Sequence, residues 1–482
     1  MTDEKITFLW HDYETWGTNP ATDRPAQFAG IRTNLDFERI GDPINLFAIP
    51  SNDFLPQPEA CLITGLSPQE VSRKGINEAN FFQLIFNEMV KPSTCSLGYN
   101  SIQFDDEVSR YGFYRNFFDP YEREWKNGNS RWDIINLFRL ANAIRPDGIS
   151  WPKNSIGHTS FRLEDLAYEN DIAHSSAHDA LSDVETTIEL AKLIKKAQPK
   201  LFDYVFKHRS KKEILKLLNN EDLTPVLHVS PIYTSELGCI ASVVPIINHP
   251  KNGNSIIVID LRYDPDYLLK LGMKEIQDIF LKKDSENLEK RRNLGIGQIS
   301  VNKAPVIVPI TTINSAQREK WSMSEIEEKR NLSIVKNNFS ELSAKLNTLF
   351  EEYLKFSNKS EVDNSLYDGF ISDNDKRVSE IIRKSEPEEL SKLNLNFESN
   401  KLSELFFRYR ARNYFDTLST FEKKIWDDFR KKRLISDSKE LSLNINEYQK
   451  KISDLLKDPN IVKNRKDLLD ELLLWPDLIG LK

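Results

Sequence analysis

Apolar and polar positions divide the chain into three stretches of different rhythm. From Ile6 to Thr15 the apolar residues fall on both parities (Phe8, Leu9, Trp10), which predicts a strand covered on both faces and central in its sheet. Further extended pieces are expected near Phe28–Thr33 and Ile44–Ile49, while Pro56-Gln57-Pro58 and Gly65 to Pro68 read as loops. Helical spacing follows over Glu78–Met89, Asp105–Asn116, Trp132–Ala143, Leu163–Asn170 and Asp179–Lys196, and Pro199 closes the block. A mixed α/β domain over residues 6–197 is the expectation. Over 199–348 the rhythm changes to short strands at Val226–Ser230, Ile240–Ile247, Ser255–Leu261 and Gln298–Val308, with one helical stretch at Pro265–Lys282. That predicts a small β-rich domain with a helical insert. Over 352–475 strands vanish, and Leu402–Tyr409, Ser419–Arg433, Glu440–Leu456 and Lys466–Leu474 predict an all-α third domain.

Composition narrows the function classes. The chain has 482 residues, with 66 Lys plus Arg against 73 Asp plus Glu and a formal net charge of −7. A uniformly basic nucleic-acid coat is excluded, but a local basic groove is not, because binding follows the distribution of charge. Cys61, Cys95 and Cys239 are an odd and scattered set. They argue against a disulfide framework or a structural zinc site and suit a reducing cytosol. The opening apolar run is too short, and lacks the basic flank, for a signal peptide. Gly238 to Ile247 holds Pro245 and falls short of a membrane span. A cytoplasmic protein without membrane contact is therefore expected.

Three clusters carry chemistry. In His11-Asp12-Tyr13-Glu14-Thr15, strand alternation puts Asp12 and Glu14 on one face and Tyr13 on the other. Paired carboxylates repel unless a cation lies between them, which suits a hard metal, although acidic residues are also common where a strand end meets solvent. Asp105-Asp106 opens a predicted helix, where Asp is favoured as a cap. In His178-Asp179-Ala180-Leu181-Ser182-Asp183, positions five apart on a helix lie about 140° apart. His178 and Asp183 converge only if His178 sits on the incoming loop and Asp183 on the second turn, leaving Asp179 as an ordinary first-turn carboxylate.

No one cluster is specific, but their order is. Asp-x-Glu ending the first strand, Phe104-Asp105 starting a helix, and His-x4-Asp starting the last helix of the block resemble the DEDDh 3′–5′ exonucleases of the ribonuclease H-like fold. Asp23-Arg24-Pro25-Ala26-Gln27-Phe28, Gly98-Tyr99-Asn100, Ser130-Arg131-Trp132-Asp133, Ser160-Phe161-Arg162-Leu163-Glu164, Leu201-Phe202-Asp203-Tyr204 and Arg408-Tyr409-Arg410-Ala411-Arg412-Asn413 are similar to the bacterial exonuclease I family within that class. Pro309-Ile310 departs from the Gln-Ala pair expected there.

The resemblance implies a ribonuclease H-like exonuclease domain, an SH3-like middle domain and a helical C-terminal domain enclosing a positively lined channel. It implies single-strand-specific removal of 5′-mononucleotides from a DNA 3′ end, in repair and recombination. Asp12, Glu14, Asp105 and Asp183 would hold two Mg²⁺ about 4 Å apart, with Mn²⁺ able to substitute. His178 would be the general base. Substrate contacts expected are Glu14, Arg162 at the terminal nucleotide, Arg110 and Arg145 on phosphates, and Tyr121, Trp125, Phe161 and Tyr204 stacking on bases, with core packing the alternative for each aromatic. Arg408 to Arg412 reads as a charge cluster that a solvated helix surface explains equally well. The implied partner is single-stranded DNA-binding protein, through its acidic C-terminal tail, and a monomer suffices. Two other readings compete: a DEDDh exoribonuclease, usually a single small domain, and a non-catalytic single-strand-binding adaptor, which intact catalytic positions oppose. An HD-type phosphohydrolase is all-helical, whereas His11-Asp12 lies on a predicted strand.

Overall fold

In the computed structural model the opening run forms β1 (Thr7–Thr15), buried along nearly its whole length. Residues 5–174, 178–219, 221–281, 287–353, 361–435, 443–459 and 462–481 are described. The chain packs as two units, one formed by Met1–Ser130, His174–Ile188 and Lys359–Lys482, the other by Arg131–Ala173 and Glu189–Asn358.

In the first unit, β1 is flanked by β2 (Pro25–Thr33), antiparallel, and by β4 (Thr94–Gly98), parallel, while β3 (Ile44–Phe47) pairs with the outer side of β2. The chain leaves this unit within β5 (Ser130–Asp133). Helices Glu78–Met89 and Asp105–Arg115 cover one face, burying Phe81, Phe82, Ile85, Met89, Val108 and Phe113 against Leu9, Tyr13 and Phe28. Gly112 permits that approach, since a Cβ there would lie 1.9 Å from the Phe82 ring.

In the second unit, β6 (Val226–Val229), β7 (Ile240–Asn248), β8 (Ser255–Asp260), β9 (Ile296–Ser300) and β10 (Val306–Pro309) form an antiparallel sheet ordered β10-β6-β7-β8-β9. Helices Glu325–Asn337 and Phe339–Tyr353 bury Val335, Leu342, Leu346 and Leu349 against Val244, Ile246, Ile257 and Ile259. Pro309 ends the edge strand β10, where proline is tolerated.

Several boundaries differ from the sequence expectation. Pro58 and Pro68 do not lie in loops but start the helices Pro58–Thr64 and Pro68–Lys74, because the first helical position has no use for the missing N–H. Trp132 belongs to β5, and the helix begins later, at Ile135, whose N–H donates to Asp133 Oδ1 at 3.1 Å. The stretch Pro265–Lys282 breaks at Gly272 into Pro265–Lys270 and Met273–Leu281, so one long helix becomes two short ones. Gln298–Val308 is likewise two strands, separated by a turn at Asn302 to Pro305. Helical structure sets in by Ser315, ahead of the expected change of class.

The C-terminal helices join the first unit through a buried cage of charge. Asp363 accepts from Arg408 Nη1 at 2.8 Å, Arg412 Nη1 at 2.5 Å and Arg433 Nη1 at 2.9 Å. Asp53, from the loop after β3, accepts from Arg412 Nη2 at 2.7 Å and from Arg433 Nη1 at 3.3 Å. Arg24 bridges outward, 3.4 Å from Glu78 and 3.8 Å from Asp363. The cluster Arg408 to Arg412 is therefore no solvated surface: Arg408 and Arg410 are buried on the Asn400–Asn413 helix, and Arg412 is bound within the cage. Apolar contact flanks the cage, with Trp16, Phe54, Leu55 and Val71 packing among Leu434, Tyr448, Leu472 and Trp475.

Burial alone would raise the Asp53 and Asp363 carboxyls, but Arg412 and its neighbours hold both well below the usual carboxylate range. Removing one partner of such a cage strands the others, which typically costs about 3–5 kcal/mol. Asp363→Ala should lose that much in guanidinium unfolding, whereas Asp454→Ala, which breaks an exposed pair with Lys457, should leave the midpoint unchanged. Both cage carboxyls titrate lower folded than unfolded. Their contribution is therefore complete above about pH 4 and lost as the pH falls below it, a dependence that Asp363→Ala should flatten.

Candidate active site

β1 presents Asp12 and Glu14 on one face. Tyr13 turns to the other, packs on Phe28 with ring centroids 4.9 Å apart, and shares a 3.0 Å hydrogen bond with Ser109 Oγ. His11 takes the Tyr13 face, buried and stacked on Phe28. Burial, and then Arg123, lower its pKa to about 4, so it is neutral and does not join the carboxylates. β4 follows β1 only as far as Trp10↔Leu97. Gly98 keeps the end of β4 close against β1, since a Cβ there would meet the His11 carbonyl oxygen at 2.6 Å. Beyond that point the Tyr13 N–H donates instead to Asp105 Oδ1 at 2.9 Å, which draws the start of the Asp105–Arg115 helix onto β1. Asp106 takes a different partner, accepting from the buried Arg123 Nη2 at 2.5 Å.

Asp183 enters on the first turn of the helix Ala180–Ala197, one turn earlier than its sequence expectation, because the helix starts only after Asp179. Asp179 caps it, Oδ1 accepting from Ser182 N–H at 3.1 Å, and Oδ2 accepts from Gln27 Nε2 at 3.1 Å. Gln27 is the β2 partner of Glu14, so this bond ties the helix start to the strand that bears the acids. His178 adopts φ 65°, a left-handed conformation that costs a side-chain-bearing residue about 1–3 kcal/mol unless its surroundings hold it. With Asp179 so anchored, potential ligand atoms of Glu14, His178 and Asp183 lie within 4.8 Å of one another.

The electrostatics are those of crowded carboxylates. Burial, then Asp105, Glu14 and Asp183, push Asp12 well above the usual carboxylate range. Burial, then Asp183 and Asp105, raise Glu14 to about 9. Oxygen donors in mutual repulsion fit a hard divalent cation, whose charge would offset that cost. The site also holds His174, to which the sequence does not point. Its Nε2 lies 2.5 Å from Asp183 Oδ1, and no sequence signal marks it, because it precedes the helix and follows no ligand spacing.

The expected substrate contacts scatter. In the first unit Arg110 is buried, its Nε and Nη2 donating to Glu124 at 2.8 and 3.0 Å and its Nη1 to Glu107 at 2.8 Å. A guanidinium so engaged has no fork left for phosphate, and the role expected of Arg110 does not fit this placement. Tyr121 is half-buried, its ring 5.3 Å from that guanidinium, whereas Trp125 is 67% exposed. In the second unit Arg162 extends into solvent and pairs with Glu164, and Arg145 is also exposed. Phe161 is half-buried against Trp151, and Tyr204 stacks on His208 with centroids 4.1 Å apart. Among the described residues no helix is long and apolar enough to cross a membrane.

Comparison with known proteins places this geometry in a family. The exonuclease family model matches residues 9–191, the exonuclease I SH3-like domain 209–352 and the exonuclease I C-terminal domain 360–479. Exodeoxyribonuclease I of Haemophilus influenzae is 42% identical over 93% of this chain and 95% of its own length. The zinc-ion-bound form of the Escherichia coli exonuclease I–ssDNA complex superposes with a TM-score of 0.93, at 38% identity over 99% of this chain and 100% of that one. An SSB/exonuclease I structure in complex with an inhibitor matches with a TM-score of 0.90, also at 38% identity, over 99% and 100% of the two chains. Identity of this order along nearly the whole length, across all three domain types, means that the chain belongs to the exodeoxyribonuclease I family of exonucleases.

Proposed function

We propose that this chain is a metal-dependent, single-strand-specific 3′–5′ exodeoxyribonuclease that releases 5′-mononucleotides and serves DNA repair and recombination. The observation that carries the reading is the convergence of Asp12, Glu14, Asp105 and Asp183, crowded enough to raise Asp12 and Glu14 far above ordinary carboxylates, with His178 alongside. The four carboxylates would hold two Mg²⁺, which when bound supply an activated water and charge stabilisation at the leaving oxygen. His178 takes the proton from the attacking water at an imidazole nitrogen, acting as general base. Its left-handed backbone and the Asp179 cap hold the ring beside Glu14 and Asp183. Membership of the family and the single-stranded DNA in the Escherichia coli relative's structure support DNA over RNA as substrate.

For the partner, the SSB/exonuclease I structure supports a single-stranded DNA-binding protein. We place its acidic C-terminal tail in a pocket of about 300 Å³ in the second unit, where Arg145 and Lys200 stand beside Ile144, Leu201 and Val308. Two cations at the pocket suit a chain end that carries carboxylates.

On a 5′-labelled single-stranded DNA, its duplex and the matching RNA, Mg²⁺ should bring shortening of the single-stranded DNA alone, from the 3′ end, and EDTA should stop it. Preferred RNA shortening would leave the catalytic centre standing but overturn the substrate. Asp12→Ala and Asp183→Ala should abolish hydrolysis and preserve DNA binding, and unchanged turnover in either would refute the metal-site assignment. Lys200→Glu should weaken binding of an acidic tail peptide about tenfold, the loss of about 1.4 kcal/mol, with hydrolysis of naked DNA unaltered. Tail binding that ignores this substitution would put the seat elsewhere.

A further inference from the structure

We infer that His174 is a positioning residue for the reaction: through Nε2, 2.5 Å from Asp183 Oδ1, it fixes the Asp183 carboxylate for the metal. This rests on the metal reading given above. Asp183 stands among carboxylates that repel it, since its charge is felt at both Asp12 and Glu14. A carboxylate on the first turn of a helix, free to rotate about its side-chain bonds, would relieve that repulsion by swinging away from Glu14. A donor on one oxygen opposes the swing, and the ring is well placed to be one. The His174 and Asp183 side chains are only 10% and 14% exposed, so water competes weakly for either atom.

The contact also explains how a residue outside any regular element acquires a defined place. The helix start is held on one side by Gln27 through Asp179, and on the other His174 reaches Asp183 from the segment that precedes His178. Residues that orient metal ligands from behind typically set affinity for the ion by about 10–100-fold. His174 would do so for Asp183 without touching substrate.

The test compares His174→Gln, whose amide N–H can take over the donation, with His174→Leu, which fills similar space without a donor. Manganese binding to the DNA-free protein is followed by isothermal titration, and binding of an oligothymidylate in EDTA reports that the fold and the DNA surface persist. The expected result is a 10–100-fold weaker Mn²⁺ affinity in His174→Leu, most of it recovered in His174→Gln, with EDTA-state DNA binding unchanged in both. In Mg²⁺-limited assays kcat should fall while the KM for DNA holds. Mn²⁺ affinity in His174→Leu equal to that of the unmodified protein overturns this inference alone. If the unmodified protein itself binds no Mn²⁺, the metal reading fails and this inference with it. Should His174→Leu not fold, Mn²⁺ affinity lost equally in a folded His174→Gln would overturn the donor role.

Discussion

Four carboxylates held together against their own repulsion are the constraint around which the first unit is arranged. Left to solvent, Asp12, Glu14, Asp105 and Asp183 would separate. In the fold each is fastened by something other than a cation. Asp12 and Glu14 are fixed because β1 is buried on both faces and cannot turn. Asp105 is fixed by the Tyr13 amide that β4 leaves unpaired, and Asp183 by the capped helix start and by His174. The raised Asp12 and Glu14 reflect the repulsion that remains, which is why the proposed function gives this cluster to divalent cations rather than to a solvated acidic edge.

The same unit contains the opposite electrostatic solution in its charge cage. At Asp53 and Asp363 the carboxylates are equally buried, yet arginines surround them and hold them ionised. There the desolvation cost of burial is met by bidentate and shared guanidinium bonds within the protein, so nothing further need bind. The charge cage and the proposed metal site thus differ in whether the protein supplies its own counter-charge. Spending Arg24, Arg408, Arg412 and Arg433 on the cage also shows why a count of basic residues is a poor guide to a DNA-binding surface.

Short-range rules make much of this legible. Alternation along β1 suffices to put Asp12 and Glu14 on one face, because strand side chains have a fixed period of two. Angular spacing on a helix likewise requires His178 to lie on a loop ahead of Asp183. The same rules misplace element edges wherever a local punctuator has two meanings. Proline at 58 and 68 opens helices, and Trp132, apolar at helical spacing, is a strand residue whose helix begins only at Ile135.

The sequence by itself determined the class of fold, the order of the acidic motifs and the shared face of Asp12 and Glu14, since these follow from periodicities of two and 3.6 residues that a chain cannot evade. Only the tertiary structure decided which charges are spent on one another. From sequence, Arg110 reads as a phosphate contact and Arg412 as part of a charge cluster that a solvated helix surface explains equally well. What commits the first to Glu107 and Glu124 and the second to Asp53 and Asp363 is proximity across gaps of up to 359 positions. His174 belongs to the same kind: its contact depends on where the first turn of the helix carries Asp183, and no spacing along the chain encodes a contact made through space.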